Sequence, residues 1–210
     1  MRFDEWRYLF PPRPDSKSAI PHTSLSSLEG QGWIAQAKMN GTCNVLAVSP
    51  DRKTIKAMSR HADTHKLWQP SAHTLEAFAD LPGTGWYVFV AELMHSKVTG
   101  GPRDTNYIND ILVADGEYLV GTRFVDRRLI LSDVFGDPDG PLTHHVIDDR
   151  TWVARSIESN FLDFYNEMTK DELEGIVLKK ATGKLALCAK EGSNVSWLLK
   201  CRKRHKNFSF

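Results

Sequence analysis

The feature that most limits what this chain can fold into is a series of short apolar runs, each closed by glycine, asparagine, aspartate or a charge. They read "WIAQAK", "CNVLAV", "WYVFVAEL", "YINDILV", "EGIVLKK" and "VSWLLKCRK". Each is too short for a core helix and rich in valine, isoleucine, leucine and aromatics, which is the pattern of strands. "WIAQAK" and "CNVLAV" flank the tight "MNGT" connection, which suggests two strands joined by a turn containing Gly41. "TIKAMSR" adds a further short strand, and "YINDILV", "DGEYL" and "LILSDVF" continue a mixed pattern with "FVDRRLIL" as a helix among them. Ser71 is placed to cap a helix through "SAHTLEAFADL". From Asp149 to Lys170, Trp152, Val153, Ile157, Phe161, Phe164, Tyr165 and Met168 fall near a 3.6-residue period, which predicts one long helix with a core-facing stripe. The expected fold is α+β, with antiparallel sheets flanked by helices. The expected organisation is an extended, proline-rich lead-in over 1–31, one domain over 32–203 and a basic tail over 204–210.

Composition narrows the class of protein. With 41% hydrophobic and 25% charged residues and a net charge of +1, the chain is an ordinary globular one. Its global charge therefore gives no argument for nucleic acid. No apolar run approaches a membrane span, and "MRFDEWRYLF" lacks the apolar centre of a signal peptide. Cys43, Cys188 and Cys201 have no CxxC spacing and read as reduced thiols of a cytoplasmic protein.

The residues able to do chemistry sit at strand ends. Alternation puts Ile34, Gln36 and Lys38 on one face of "WIAQAK", so an amide and an amine are presented together beside Asn40 and Gly41. Gly41 would let backbone approach a ligand closely. A strand-end lysine reaching water is the plain alternative. In "WLLKCRK", Lys200 and Arg202 share a face; they suit a phosphate, or else form an exposed basic edge. Glu92 and Glu174 are carboxylates at strand ends, suited to a Mg²⁺ ion beside a triphosphate or simply solvated. In a regular strand Glu174 and Lys179 would face opposite ways. His61 and His65 in "HADTH" lack the companions of a zinc site, and His144 and His145 lie in a Gly/Pro-rich stretch that reads as loop.

Taken in order, "KMNG", "MSR", "VAEL", "NDILVADGEYLVGTRFVDRR", "EGIVLK" and "WLLKCRK" resemble the motifs of the covalent nucleotidyltransferases. That superfamily contains ATP-dependent DNA ligases, RNA ligases and mRNA capping enzymes. The "DILVADGEYLVGTRFVDRR" stretch is similar to ATP-dependent DNA ligases, and the lead-in and ending look like small phage-type ligases.

The resemblance implies the adenylation-domain fold and a lysyl-AMP intermediate on Lys38, with ATP and Mg²⁺ as cofactors. Gln36 would meet adenine. Arg60 and Glu92 would hold the ribose, and Glu174 and Glu92 would place the metal. Lys200 and Arg202 would grip the α-phosphate. Asn40, Gly41 and Lys179 would complete the nucleotide site. Asn40 stands where these ligases have aspartate, Cys43 where they have arginine and Arg202 where they have lysine. Asn109 takes the place of the adenine-stacking aromatic, leaving Tyr107 as the aromatic nearby. The OB-fold domain that such ligases append is not expected within this sequence. The implied partner is nicked duplex DNA, or RNA, handled by a monomer away from membranes in replication or repair. An RNA ligase, a capping guanylyltransferase and a non-catalytic nucleotide- or DNA-binding protein are the other readings.

Overall fold

The computed structural model describes residues 3–15, 18–94, 102–136, 143–170, 173–187 and 194–203. The basic tail at 204–210 and Cys188 lie outside them. Two sheets dominate. One holds β2 (Trp33–Lys38), β10 (Gly175–Lys180) and β12 (Leu198–Arg202) in the order β12-β10-β2, all antiparallel. The larger sheet runs β4 (Ile55–Ser59), β3 (Thr42–Val48), β5 (Tyr87–Met94), β6 (Thr105–Ala114), β9 (Thr151–Ala154), β8 (His144–Asp148). The short β7 (Glu117–Tyr118) pairs with β6. In the lead-in, β1 (Arg13–Pro14) runs parallel to β11 (Asn194–Val195).

The two strands on either side of Gly41 form as expected, but they do not pair with each other. β2 and β3 lie in different sheets, so the "MNGT" turn carries the chain from one wall of a cleft to the other. Gly41 is required there for packing: a Cβ would run into the Leu93 carbonyl and the Glu92 side chain. Both runs are strands, yet their apolar positions are satisfied by other partners, which a local turn signal does not reveal.

The expected 149–170 helix is also corrected. Its first part is β9, where burial alternates; only Phe161–Lys170 is helical (α3). Helix α3 begins where Glu29, distant in sequence, accepts from the backbone N–H groups of Asn160 at 3.1 Å and Phe161 at 2.7 Å. Few apolar residues precede that point, and their spacing fits a strand as well as a helix. Phe161, Phe164, Tyr165 and Met168 then cover the back of the smaller sheet, against Ala35, Ala37, Ile176, Leu178 and Cys201. Tight i, i+3, i+4, i+7 spacing makes that face continuous.

Helix α1 (Ala72–Glu76) is capped as expected, with the Ser71 hydroxyl accepting from the Thr74 N–H at 3.3 Å. Helix α2 (Phe124–Phe135) is longer than "FVDRRLIL". Its period is hidden because a charged residue, Arg127, occupies the buried face. His144 and His145 belong to strand β8 and not to a loop; His144 stacks on Trp152 at 4.0 Å between ring centres. His65 is likewise structural, its Nε2 lying 3.0 Å from Asn44 Oδ1.

On its opposite face the larger sheet is covered by the lead-in. Phe3, Trp6, Tyr8 and Phe10 pack over a core that includes Leu9, Trp86 and Val88. Among the described residues no helix is long and apolar enough to cross a membrane.

Candidate active site

The two sheets and the lead-in enclose a cavity of about 570 Å³. Alternation decides what it contains. On β2, Ala35 and Ala37 join the apolar core behind the sheet, so Gln36 and Lys38 turn toward the cavity. On β10 and β12 the same rule exposes Val177, Lys179, Lys200 and Arg202 to it while Ile176, Leu178 and Cys201 are buried behind. The register sets Lys38 opposite Gly175, Gly175 opposite Arg202, and Val177 opposite Lys200. Lys38 and the two cations of β12 thus lie on the same face of one three-stranded sheet.

Lys38 does not project into bulk solvent. Its side chain is 17% exposed, and its ammonium is paired with the carboxylate of Glu174. Glu174 also lies 3.5 Å from Arg202 Nε. Glu174 precedes β10 and is not among the residues that line the cavity, unlike Lys179, but its carboxylate reaches Lys38 and Arg202, which do line it; Gly175, the next residue, has φ +135°. A Cβ on Gly175 would collide with the Cys201 carbonyl. Burial holds Lys200 below its ordinary pKa, with help from the positive charges of Arg202 and Lys38.

From the other wall come Arg60, Glu92, Tyr107, Asn109 and Asp110. Burial raises the Glu92 carboxyl above its ordinary pKa, partly countered by Lys38 and by the Gly41 N–H, which donates to Glu92 Oε1 at 3.0 Å. Gly41 therefore serves the site by orienting Glu92; it does not line the cavity. Asn40 is exposed and also outside the cavity lining. Cys43 lines it as a thiol pushed up to about 12 by burial and the nearby Glu92 charge. Tyr107 reaches the cavity but is 1% exposed, with its hydroxyl donating to the Thr143 carbonyl at 2.9 Å. It presents little ring surface to a ligand.

Sequence reasoning missed Asp110 and Arg127. β6 carries a bulge: Val90 pairs with Asp110 and Ala91 with Ile108, which leaves Asn109 as the extra residue. The bulge aims Asp110 inward, where both its oxygens accept from Arg127, at 2.8 and 2.9 Å. Lys179 Nζ completes the cluster 3.9 Å from Asp110 and donates to the Asn109 carbonyl at 2.7 Å. Desolvation lowers the Lys179 pKa to about 8. Both missed residues lie inside "NDILVADGEYLVGTRFVDRR", but a one-residue bulge and a buried helical arginine leave no periodic trace.

Gln36 is fixed by Ser156, also missed. Its amide nitrogen donates to Ser156 Oγ at 3.1 Å, while its side-chain oxygen is buried with no hydrogen-bond partner among the described residues. An unsatisfied buried acceptor costs about 1–3 kcal/mol and is a natural seat for a ligand donor. For a hard divalent cation, Glu92 and Glu174 are the carboxylates beside Lys38. No cluster of three or more His, Cys, Asp or Glu exists among the described residues. That donor set fits Mg²⁺, which binds through one or two carboxylates with phosphates and water supplying the rest.

No family model and no curated protein matches the sequence. Solved structures do. Mycobacterial DNA ligase D complexed with ATP and MES superposes with a TM-score of 0.65 at 18% identity, covering 92% of this chain and 60% of that one. The ligase domain of M. tuberculosis LigD gives 0.61 at 18% identity, with 89% and 58% covered. A structure from a structure-function study of Lig E DNA ligases, titled as DNA binding with a minimal scaffold, gives 0.54 at 10% identity, with 94% and 69% covered. The fold is therefore that of the nucleotidyltransferase, or adenylation, domain of ATP-dependent DNA ligases. The chain spans about 60% of the length of the first of these structures.

Proposed function

We propose that this protein is an ATP-dependent DNA ligase that forms a lysyl-AMP intermediate on Lys38, and that it belongs to the covalent nucleotidyltransferases. One observation carries the reading: a half-buried lysine, paired with a carboxylate, shares a cavity-facing sheet surface with two cations of β12, the far strand of the same sheet. Lys38 Nζ, as the neutral amine, attacks the α-phosphorus of ATP. A P–N bond forms, the bond to the bridging oxygen breaks, and pyrophosphate leaves with the electron pair. Lys200 and Arg202 offset the charge gathering on the α-phosphoryl oxygens. Mg²⁺ held by Glu92 and Glu174 would supply further charge neutralisation at the phosphates. The AMP then passes to the 5′-phosphate of a nick, and the 3′-hydroxyl displaces it to seal the strand.

Base choice follows from Gln36. With its nitrogen occupied by Ser156, its oxygen accepts from the 6-amino group of adenine. Guanine presents an oxygen there and meets repulsion, so ATP is preferred to GTP and capping chemistry is disfavoured. Val177 lines the cavity and supplies apolar contact for the base. Arg60 and Glu92 hold the ribose. The DNA substrate rests on the fold shared with the DNA ligases above, and the implied setting is cytoplasmic.

Nicked duplexes of DNA and of RNA, each with a 5′-phosphate, provide the test when incubated with ATP and Mg²⁺. Sealing of the DNA nick is expected. Sealing of RNA alone would reassign the enzyme as an RNA ligase, and DNA binding with no nucleotide adduct would make it an accessory protein.

A further inference from the structure

One wall of the cavity is supplied by neither sheet. The lead-in supplies it, with Phe10, Arg13 and the prolines at 11, 12 and 14 lining the cavity. Both ends of this segment are tied down. Leu9 is buried in the core on one side, and on the other the Ile20 N–H donates to the Lys200 carbonyl at 3.0 Å. Between these anchors β1 pairs with β11 and lies against β12, the strand that bears Lys200 and Arg202. The prolines fix φ near one value, so this strap has little conformational freedom to lose when a ligand arrives.

Arg13 is the cation among the described residues of the strap. Its Nε donates to Asn194 Oδ1 at 3.1 Å, which sets the guanidinium plane and keeps the terminal nitrogens out of that bond. Its charge reaches Lys200 and lowers the pKa there slightly, against the opposing charge of Asp15 on the same strap. The other cations of the cavity have work to do elsewhere: Lys38 is the proposed nucleophile and Arg60 the proposed ribose contact. Lys179 is engaged by Asp110 and the Asn109 carbonyl, and in the proposed reaction Lys200 and Arg202 serve the α-phosphate. A triphosphate whose α-phosphate sits at Lys200 and Arg202 has two further phosphates to place, and β1, which bears Arg13, lies against β12.

We propose that Arg13 binds the outer phosphates of ATP and stabilises the departing pyrophosphate, making the lead-in part of the nucleotide site. This inference rests on the ligase reading. In that step the N–P bond to Lys38 forms, the P–O bond to the β-phosphate breaks, and the negative charge that appears on pyrophosphate lies beside the Arg13 guanidinium. A planar, multiply donating cation suits that group.

The test compares wild type with Arg13→Ala and Arg13→Lys. Arg13 is exposed, so both variants should keep the wild-type thermal midpoint. With EDTA present to block chemistry, titration by intrinsic fluorescence should show Arg13→Ala losing about tenfold in ATP affinity while AMP affinity stays within about twofold. Arg13→Lys should recover part of the loss. With Mg²⁺ added, adduct formation should slow in Arg13→Ala, whereas closure of a nick already carrying AMP at its 5′ end should not. Equal losses for ATP and AMP, or no loss, would overturn the assignment. Wild type binding neither nucleotide would overturn the ligase reading itself, a result distinct from wild type binding both with no dependence on Arg13.

Discussion

At the residue scale, the cavity works because each functional group is held by a neighbour that settles its orientation. An amide has a donating and an accepting end. Ser156 takes the donating end of Gln36, so the cavity receives an acceptor. Replacing Gln36 with leucine should lower the preference for ATP over GTP by about tenfold or more. The check is the ratio of the two nucleotide affinities in EDTA; an unchanged ratio would place base discrimination on another residue. Glu92 follows the same logic through the Gly41 N–H, and Glu174 through Lys38 and Arg202.

At the scale of elements, irregularities in otherwise regular strands build the site. Gly175 is the clearest, because its positive φ opens β10 directly after Glu174, whose carboxylate reaches Lys38 and Arg202. Gly175→Ala should destabilise the fold by about 2 kcal/mol or more, since the backbone state and the Cys201 carbonyl both oppose a Cβ. Urea unfolding measures this, and a midpoint equal to wild type would contradict it. The strand runs, the Ser71 cap and the facing of Gln36, Lys38, Lys200 and Arg202 were legible in the sequence because alternation is a local rule. What was not legible depended on distant partners. Glu29 fixes where α3 begins, and the Asn109 bulge turns Asp110 inward. Arg127 hides the period of α2, and the turn at Gly41 joins two sheets where a hairpin is the simpler reading.

At the scale of the whole molecule, Asp110, Arg127 and Lys179 tie the larger sheet and α2 to the smaller sheet at the cavity floor. Such a cluster adds little net stability over an apolar replacement, but removing one member strands a buried charge. Arg127→Ala should therefore cost about 3–5 kcal/mol. Burial alone would raise the Asp110 pKa, yet Arg127 and Lys179 outweigh it and leave it below the ordinary value. The folded carboxyl thus holds its proton less tightly than the unfolded one. Its contribution is complete above about pH 4 and is lost as pH falls through the lowered native pKa. Asp110→Asn should lack this acid-dependent loss in urea midpoints measured across the acid range; a parallel pH profile would contradict the assignment. Lys179, lowered to about 8 when folded, acts at the other end: stability should rise with pH from there to the ordinary lysine value of 10.5. The whole arrangement converges on one nitrogen. The direct measurement is incubation of wild type and Lys38→Ala with α-labelled ATP and Mg²⁺, followed by denaturation and peptide mapping. Label bound to the Lys38 peptide in wild type and absent from the variant is the expected result; no label on wild type, or label that persists without Lys38, would contradict it.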